Sequence, residues 1–185
     1  LTDGTETVTK DITVTVTNVN DIAPVFTSEA TFSAAENQTA IGTVTATDAE
    51  GDAVTFIVSG SELAITSTGV LTFVAAPDFE TKSSYTATVT ASDGTNTTNQ
   101  DITVNVTNVN DIAPVFTSEA TFSAAENQTA IGTITATDAE GDSVTFTVSG
   151  SELVITSVGV LTFASAPDFE TKSSYTATVT ATDGT

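Results

Sequence analysis

The sequence of 185 residues contains no cysteine, histidine, methionine or tryptophan. Without cysteine there are no disulfides, and without cysteine and histidine the usual zinc, copper and haem ligands and most nucleophile and base pairs are missing. Carboxylates are then the only general acid and base groups, so we expect a protein that is not an enzyme. There is also no run of about 18 apolar residues, which predicts a segment that does not insert into a membrane.

Basic residues are almost as scarce. Lys10, Lys82 and Lys172 oppose 24 Asp and Glu residues, which gives a formal net charge of -21. Nucleic acids and anionic membrane surfaces are excluded as partners, because both are bound through basic patches. A chain this acidic either repels itself or collects cations.

The chain repeats itself with an offset of 90 residues. Residues 21–90 and 111–180 differ at seven of 70 positions. A period of this size exceeds one solenoid unit and is typical of a whole domain repeated in tandem. We expect residues 1–20 to be the last strand and linker of a preceding repeat, residues 21–110 a complete repeat, and residues 111–185 a second repeat that lacks its last strand.

Apolar residues alternate with period two inside each repeat, as in Val54, Phe56 and Val58. The alternation loses its parity at Gly42, which indicates a β-bulge. About seven such runs, separated by turn signals such as Ser59-Gly60 and Asp93-Gly94, predict an all-β fold of tandem seven-stranded Greek-key β-sandwiches.

Because the chain begins and ends inside this pattern, it has the form of an internal piece of a longer protein. The apolar face of Ile12, Val14 and Val16 needs a sheet, and a sandwich without its last strand has a vacant edge. We therefore expect residues about 8–18 of one molecule to fill the edge of another, which gives head-to-tail self-association.

The acids of each repeat gather in turns and at strand ends. Carboxylate and amide oxygens crowded without a basic residue suit a hard divalent cation with six to eight oxygen ligands, such as Ca²⁺. Taken alone, Asp93-Gly94 and Glu50-Gly51 are also ordinary turn residues, and this interpretation stays open for each motif by itself.

Five motifs occur in the same order at this period: AENQ, DAEGD, PDFE, TVTASDG and NVND. Together they resemble cadherin repeats of the bacterial cadherin-like kind. The resemblance implies up to three calcium ions at the joint between the repeats, held by Glu36, Asp78, Glu80, Asn108, Asn110, Asp111, Asp138, Glu140 and Asp183. It implies an incomplete joint nearer the N-terminus with Asn18, Asn20, Asp21, Asp48, Glu50 and Asp93, and a third set at Glu126, Asp168 and Glu170. Asn108 stands where the family usually has Asp, so we expect weaker affinity or fewer ions.

The resemblance implies a calcium-rigidified spacer in a long extracellular, bacterial adhesin-like surface protein. One alternative is a filament or matrix subunit joined head-to-tail by strand complementation. Another is a carbohydrate-binding or homophilic adhesion module, with surface glycans or proteins as partners, although no exposed aromatic cluster in the sequence supports it.

Overall fold

The computed structural model describes Gly4 and residues 6–185. This part of the chain contains strands and turns and no helix. It divides into two compact units. Unit 1 comprises the chain up to Pro77 together with Ser84–Asn105, and unit 2 comprises Asp78–Ser83 together with Val106–Thr185.

Unit 1 is a β-sandwich of short antiparallel strands. The strands are Val25–Phe26 (β1), Thr31–Ala35 (β2), Ala40–Thr43 (β3), Ala46–Thr47 (β4), Thr55–Val58 (β5), Leu63–Ile65 (β6), Val70–Phe73 (β7), Ser84–Ser92 (β8) and Thr97–Thr107 (β9), and the last two residues of β9 lie outside unit 1. The main sheet has the order β2-β9-β8-β5, a second sheet has the order β3-β7-β6, and β1 pairs with β4. The seven strands expected from the sequence are obtained when β1 with β2, and β3 with β4, are taken as two interrupted strands.

The alternating apolar residues of unit 1 form its core. Leu71, Val89 and Val104 are completely buried, since each points from its strand into the space between the sheets. The predicted bulge is confirmed, because the register of β3 on β7 shifts between Ala40 and Gly42. Predicted turns at Gly60 and Gly94 are confirmed by the positive φ of both glycines.

Unit 2 repeats this arrangement with fewer strands. The strands are Val115–Phe116 (β10), Ala130–Thr133 (β11), Ala136–Thr137 (β12), Thr145–Val148 (β13), Leu153–Ile155 (β14), Val160–Phe163 (β15) and Val179–Thr182 (β16). The sheets have the orders β11-β15-β14 and β13-β16, and β10 pairs with β12. The register shift of the first unit recurs here between Ala130 and Gly132.

The core of unit 2 is less well covered than that of unit 1. Ile134, Phe146 and Leu161 are buried, but Val179 and Ala181 are only partly buried, whereas their counterparts Val89 and Ala91 are fully buried. No described residue of unit 2 takes the place that β9 has in unit 1, and residues 121–125, the counterpart of β2, form no strand. In unit 1, β9 pairs with both β2 and β8. Without such a strand, the counterpart of β2 in unit 2 does not form and the counterpart of β8 is shorter.

The segment that precedes the first strand of unit 1 is exposed to solvent. Residues 8–20 form no strand, and the side chains of Ile12, Val14 and Val16 are 80%, 80% and 90% exposed. Alternation marks which face of a strand is apolar, but a strand forms only when a neighbouring backbone pairs with it. The apolar face predicted from the sequence is present here without a sheet to cover it.

Candidate functional site

The acidic turn of residues 138–142 in unit 2 is shaped by one carboxylate oxygen. Asp138 Oδ1 accepts hydrogen bonds from the backbone N–H groups of Glu140 at 2.9 Å and Asp142 at 3.2 Å. Gly141 supplies the positive φ that the tight turn needs. The other oxygen, Asp138 Oδ2, is buried and has no hydrogen-bond partner.

Glu140 divides its two oxygens in the same way. Its Oε2 accepts from the backbone N–H groups of Asp111 at 3.0 Å and Ile112 at 2.9 Å, which ties the start of the unit to the turn. Its Oε1 is buried and has no hydrogen-bond partner. Buried carboxylate oxygens are costly unless a donor or a cation compensates them. These two oxygens therefore fit an oxygen-coordinated cation.

Further carboxylates of unit 2 surround this turn. Glu80, Asp111 and Glu140 each offer an oxygen within 4.8 Å of the others, and Asp138, Glu140 and Asp142 form a second such group. Two like charges at this separation repel by roughly 3 kcal/mol at an effective dielectric constant of about 20. With five carboxylates and no basic residue among them, the cluster favours cation binding.

Two other predicted ligands of unit 2 lie together. The N–H of Thr185 donates to Asp183 Oδ1 at 3.0 Å, and its single hydroxyl hydrogen is shared between Asp183 Oδ1 at 3.0 Å and Asn110 Oδ1 at 3.1 Å. The backbone N–H of Thr185 is the main cause that lowers the pKa of Asp183. The hydrogen bonds from Thr185 therefore favour the ionised form of Asp183.

Unit 1 builds the same turn from the equivalent residues. Glu50 Oε2 accepts from the N–H groups of Asp21 and Ile22, each at 3.0 Å, and Glu50 N–H donates to Asp48 Oδ1 at 2.8 Å. Asp48 Oδ2 is buried without a partner, and Asp48, Glu50 and Asp52 offer oxygens within 4.8 Å of one another. Because the arrangement occurs twice, it is a property of the repeated sequence.

Asn96 connects two further residues of this site. Its amide nitrogen donates to Asn20 Oδ1 at 2.9 Å and to Asp93 Oδ2 at 3.2 Å. For Asp93, desolvation is the largest single influence and raises the pKa, but the hydrogen bonds from Asn96, Thr95 and Asn20 together outweigh it, so the pKa is lowered.

A third acidic group lies elsewhere in unit 2, where Glu126, Asp168 and Glu170 approach within 4.8 Å. Glu126 Oε2 accepts from the N–H of Phe169 at 3.1 Å. The hydroxyl of Thr171 is the main cause that lowers the pKa of Asp168. All three residues are exposed, so this group is more open than the two described above.

Most of the predicted joint ligands belong to one unit. Glu36 lies in unit 1, where it is 4% exposed, and the other eight lie in unit 2. Asp78 is outside the groups described above, and its two oxygens accept hydrogen bonds from the N–H and hydroxyl of Thr81 at 3.0 and 2.9 Å. Asn18 and Asn108 are exposed.

Three residues were absent from the predicted ligand set. Asp52 and Asp142 join the acidic turns, and Asn96 connects Asn20 to Asp93. The signal for the two aspartates was present, because each is the last acid of the DAEGD motif. No comparable signal marked Asn96, whose contact with Asn20 joins residues 76 positions apart.

Within the described part of the chain, no helix has the length and apolar character needed to cross a membrane.

The sequence is similar to one protein family and to several curated proteins. Residues 20–107 match the family described as Bacterial Ig domain. The chain is 32% identical over 194 residues to Protocadherin Fat 4 of Mus musculus, covering 91% of this chain and 4% of that protein. It is 34% identical over 199 residues to Cadherin EGF LAG seven-pass G-type receptor 2 of Homo sapiens, covering 96% of this chain and 7% of that protein. The chain thus spans a small fraction of the curated relatives that it matches.

Solved structures of cadherin extracellular domains have the same fold as this chain. Human Protocadherin-24 EC1-2 superposes with a TM-score of 0.70 at 20% identity, covering 87% of this chain and 93% of that one. Mouse Cadherin-23 EC22-24 gives a TM-score of 0.69 at 24% identity, covering 90% of this chain and 61% of that one.

Proposed function

Since the chain has a cadherin-like fold, we propose that it is a calcium-binding spacer segment of a long extracellular adhesion protein. The observation that carries the proposal is the pair of buried, unpartnered oxygens, Asp138 Oδ2 and Glu140 Oε1, within a cluster that has no basic residue. The relatives whose names mark them as cadherins support a location outside the cell or at its surface. The match to a bacterial family supports a bacterial surface protein.

Calcium is the cation that suits this cluster best. It prefers six to eight oxygen ligands and accepts carboxylates in either one-oxygen or two-oxygen contacts, together with amide and backbone oxygens. Glu80, Asp111, Asp138, Glu140 and Asp142 would hold it in unit 2 through carboxylates alone. When bound, the ion supplies positive charge and fixed coordination, and no reaction is required of it.

The proposed role is mechanical. Without a cation the like charges repel, and with one they are drawn together, so calcium orders the segments that carry them. In the cadherin-like arrangement implied by the sequence motifs, Glu36 and the Asn108 to Asp111 linker add to the same cage. Calcium would then stiffen a tandem array, and chelation would return its flexibility.

The substitution Asp138→Asn tests the binding site. The amide oxygen of asparagine still accepts the turn hydrogen bonds that Asp138 Oδ1 now accepts, but the unpartnered oxygen becomes a nitrogen and the charge is lost. We expect isothermal titration calorimetry to show at least one ion fewer, or an affinity for Ca²⁺ lower by about tenfold, which corresponds to roughly 1.4 kcal/mol.

The matched control is Glu29→Gln, which removes one exposed carboxylate outside the acidic groups. It should leave the calorimetric titration unchanged, and circular dichroism should show that both variants are folded. Calcium binding by Asp138→Asn that equals the wild-type protein in number and affinity would contradict the proposed site.

Stiffening is tested separately from binding. Small-angle X-ray scattering of the 185-residue chain with excess calcium should give a larger maximum dimension and a narrower distance distribution than the same sample in chelator. Calorimetry under the scattering conditions shows whether calcium binds. If it binds and the scattering profiles in calcium and in chelator are identical, the mechanical role is refuted and the binding site is not.

A further inference from the structure

The backbone at Asp111 and Ile112 in unit 2 is held by a side chain at the point where strand pairing ends. In the short ladder of β10 and β12, Val115 opposes Thr137. The same antiparallel register, continued along both strands, would place Ile112 opposite Glu140. Both strands end before that point, and the Glu140 carboxylate makes the contact there instead.

A single oxygen of Glu140 receives two consecutive backbone N–H groups. The N–H groups of Asp111 and Ile112 converge on Oε2 at 3.0 and 2.9 Å. Successive N–H groups that point to one atom form a small concave anion site. Hydrogen bonds to a carboxylate are stronger than those between neutral groups, so this contact fixes the course of the backbone at Asp111. We call it the carboxylate clamp of unit 2.

Unit 1 has the same clamp. Glu50 Oε2 accepts from the N–H groups of Asp21 and Ile22, each at 3.0 Å. The carboxylate of Asp21 is not among the acids grouped around Glu50, which are Asp48 and Asp52. The clamp therefore forms between the glutamate and the backbone and does not require the aspartate side chain to join the acidic group.

In unit 2 the clamp holds a residue that lies between two sets of acids. Among the described residues, Glu140 is the one shared by both acidic groups of this turn, with Glu80 and Asp111 in one and Asp138 and Asp142 in the other. Its second oxygen, Oε1, is buried without a hydrogen-bond partner. Because Oε2 is held, the direction of Oε1 is fixed, and the same bonds hold the backbone that carries the Asp111 carboxylate.

We propose that Glu140 is a positioning residue of the cation site, which through the clamp places the Asp111 carboxylate as a ligand beside its own Oε1. The inference rests on the proposed calcium binding and adds which residue brings Asp111 to the ion. Its physical basis is the length of the glutamate side chain. Glu140→Asp keeps the charge but shortens the side chain by one carbon–carbon bond, about 1.5 Å, so both hydrogen bonds of the clamp are lost.

Hydrogen exchange tests the clamp itself, in chelator, so that no ion contributes. In exchange followed by NMR, the amides of Asp111 and Ile112 should exchange at least about tenfold faster in Glu140→Asp than in the wild-type protein, because the variant leaves them without an acceptor. The amide of Ile134, which donates to the carbonyl oxygen of Gly159 at 2.8 Å, should keep its protection and so show that unit 2 is folded.

The matched control is Glu50→Asp, the same substitution in unit 1. It should accelerate exchange at the amides of Asp21 and Ile22 and leave those of unit 2 at their wild-type rates, whereas Glu140→Asp should do the reverse. Unchanged exchange at Asp111 and Ile112 in Glu140→Asp would overturn the clamp, and the positioning role with it.

A double-mutant cycle tests whether the clamp places the Asp111 ligand. Calcium titrations followed at the amide of Gly141 report on the acidic turn of unit 2, and Gly51 reports on unit 1. Asp111→Asn should lower the calcium affinity of unit 2 by about tenfold in the wild-type background and by less than about threefold in the Glu140→Asp background. Without the clamp, the Asp111 carboxylate is no longer held beside the ion and contributes less to its binding.

Asp142→Asn is the comparison within the same cluster. The N–H of Asp142 donates to Asp138 Oδ1 at 3.2 Å, so the place of Asp142 does not depend on the length of the side chain at position 140. Its substitution should lower the calcium affinity by the same factor in both backgrounds.

The outcomes of these titrations differ in what they contradict. If the wild-type protein binds no calcium, the proposed function and the positioning role of Glu140 are both wrong. If calcium binds but Asp111→Asn costs the same factor in both backgrounds, the calcium site stands and the role of Glu140 is overturned. Equal dependence of Asp111→Asn and Asp142→Asn on Glu140 also overturns it, because the clamp touches only the first of these residues.

Discussion

Removal of calcium by a chelator should lower the melting temperature of this protein by on the order of 10 °C. A ligand that binds only the folded state stabilises it by about 2.7 kcal/mol at a hundredfold excess over its dissociation constant. One kcal/mol shifts the midpoint of a domain of 60 to 100 residues by roughly 4 to 8 °C. The acidic turns occur in both units, so both should become less stable.

Differential scanning calorimetry in calcium, and again in chelator, measures this shift. Asp138→Asn provides the internal control, since unit 2 of this variant should gain less melting temperature from calcium than unit 2 of the wild-type protein, while unit 1 responds as before. A third scan, in chelator with sodium chloride at the ionic strength of the calcium sample, measures the stabilisation that charge screening gives by itself. The additional stabilisation in calcium is then due to binding. Melting curves that coincide with and without chelator would contradict calcium binding altogether.

The substitution Gly69→Ala should destabilise unit 1 by on the order of 3 kcal/mol or more. Gly69 has φ +92°, and an added Cβ would lie 2.1 Å from the carbonyl oxygen of Val44. Both backbone groups of Gly69 are hydrogen-bonded, since its carbonyl accepts from Val44 N–H at 2.8 Å and its N–H donates to Thr66 O at 2.9 Å. Backbone must move to admit the methyl group, and this adds to the cost of positive φ for alanine.

Gly60→Ala is the matched control. Gly60 has φ +83°, but nothing lies within 4 Å of its added Cβ, so only the conformational cost of about 1 to 2 kcal/mol applies. Urea unfolding of both variants in chelator gives the two free energies of unfolding without calcium linkage. If both variants lose the same free energy of unfolding, the close contact between the added Cβ at position 69 and the carbonyl oxygen of Val44 adds no cost, which would contradict the prediction.

Much of the fold could be predicted from alternation and turn residues. The runs around Phe56 and Val104 became strands whose apolar side chains are buried, and the loss of parity at Gly42 became a bulge. These features are local, because side-chain direction has period two and glycine has its own range of φ. A local pattern is therefore sufficient to place them.

The site was harder to predict because its roles depend on contacts between distant residues. The DAEGD motif marked the acids, but it could not show that one oxygen of Asp138 shapes the turn while the other is left for a ligand. Nor could the sequence show that both carboxylate oxygens of Asp78 accept hydrogen bonds from Thr81. Each assignment follows from which donor reaches which oxygen, and that requires the folded chain.

The missing neighbour in unit 2 makes the molecule its own reference for local stability. Residues 84–90 and 174–180 have identical sequences, so their unfolded amides exchange hydrogen at the same intrinsic rates. In unit 1 these residues lie within β8 and pair with β9, while in unit 2 only Val179 and Thr180 belong to a strand. The ratio of their exchange protection therefore measures, within one polypeptide, the stabilisation that a single bordering strand provides.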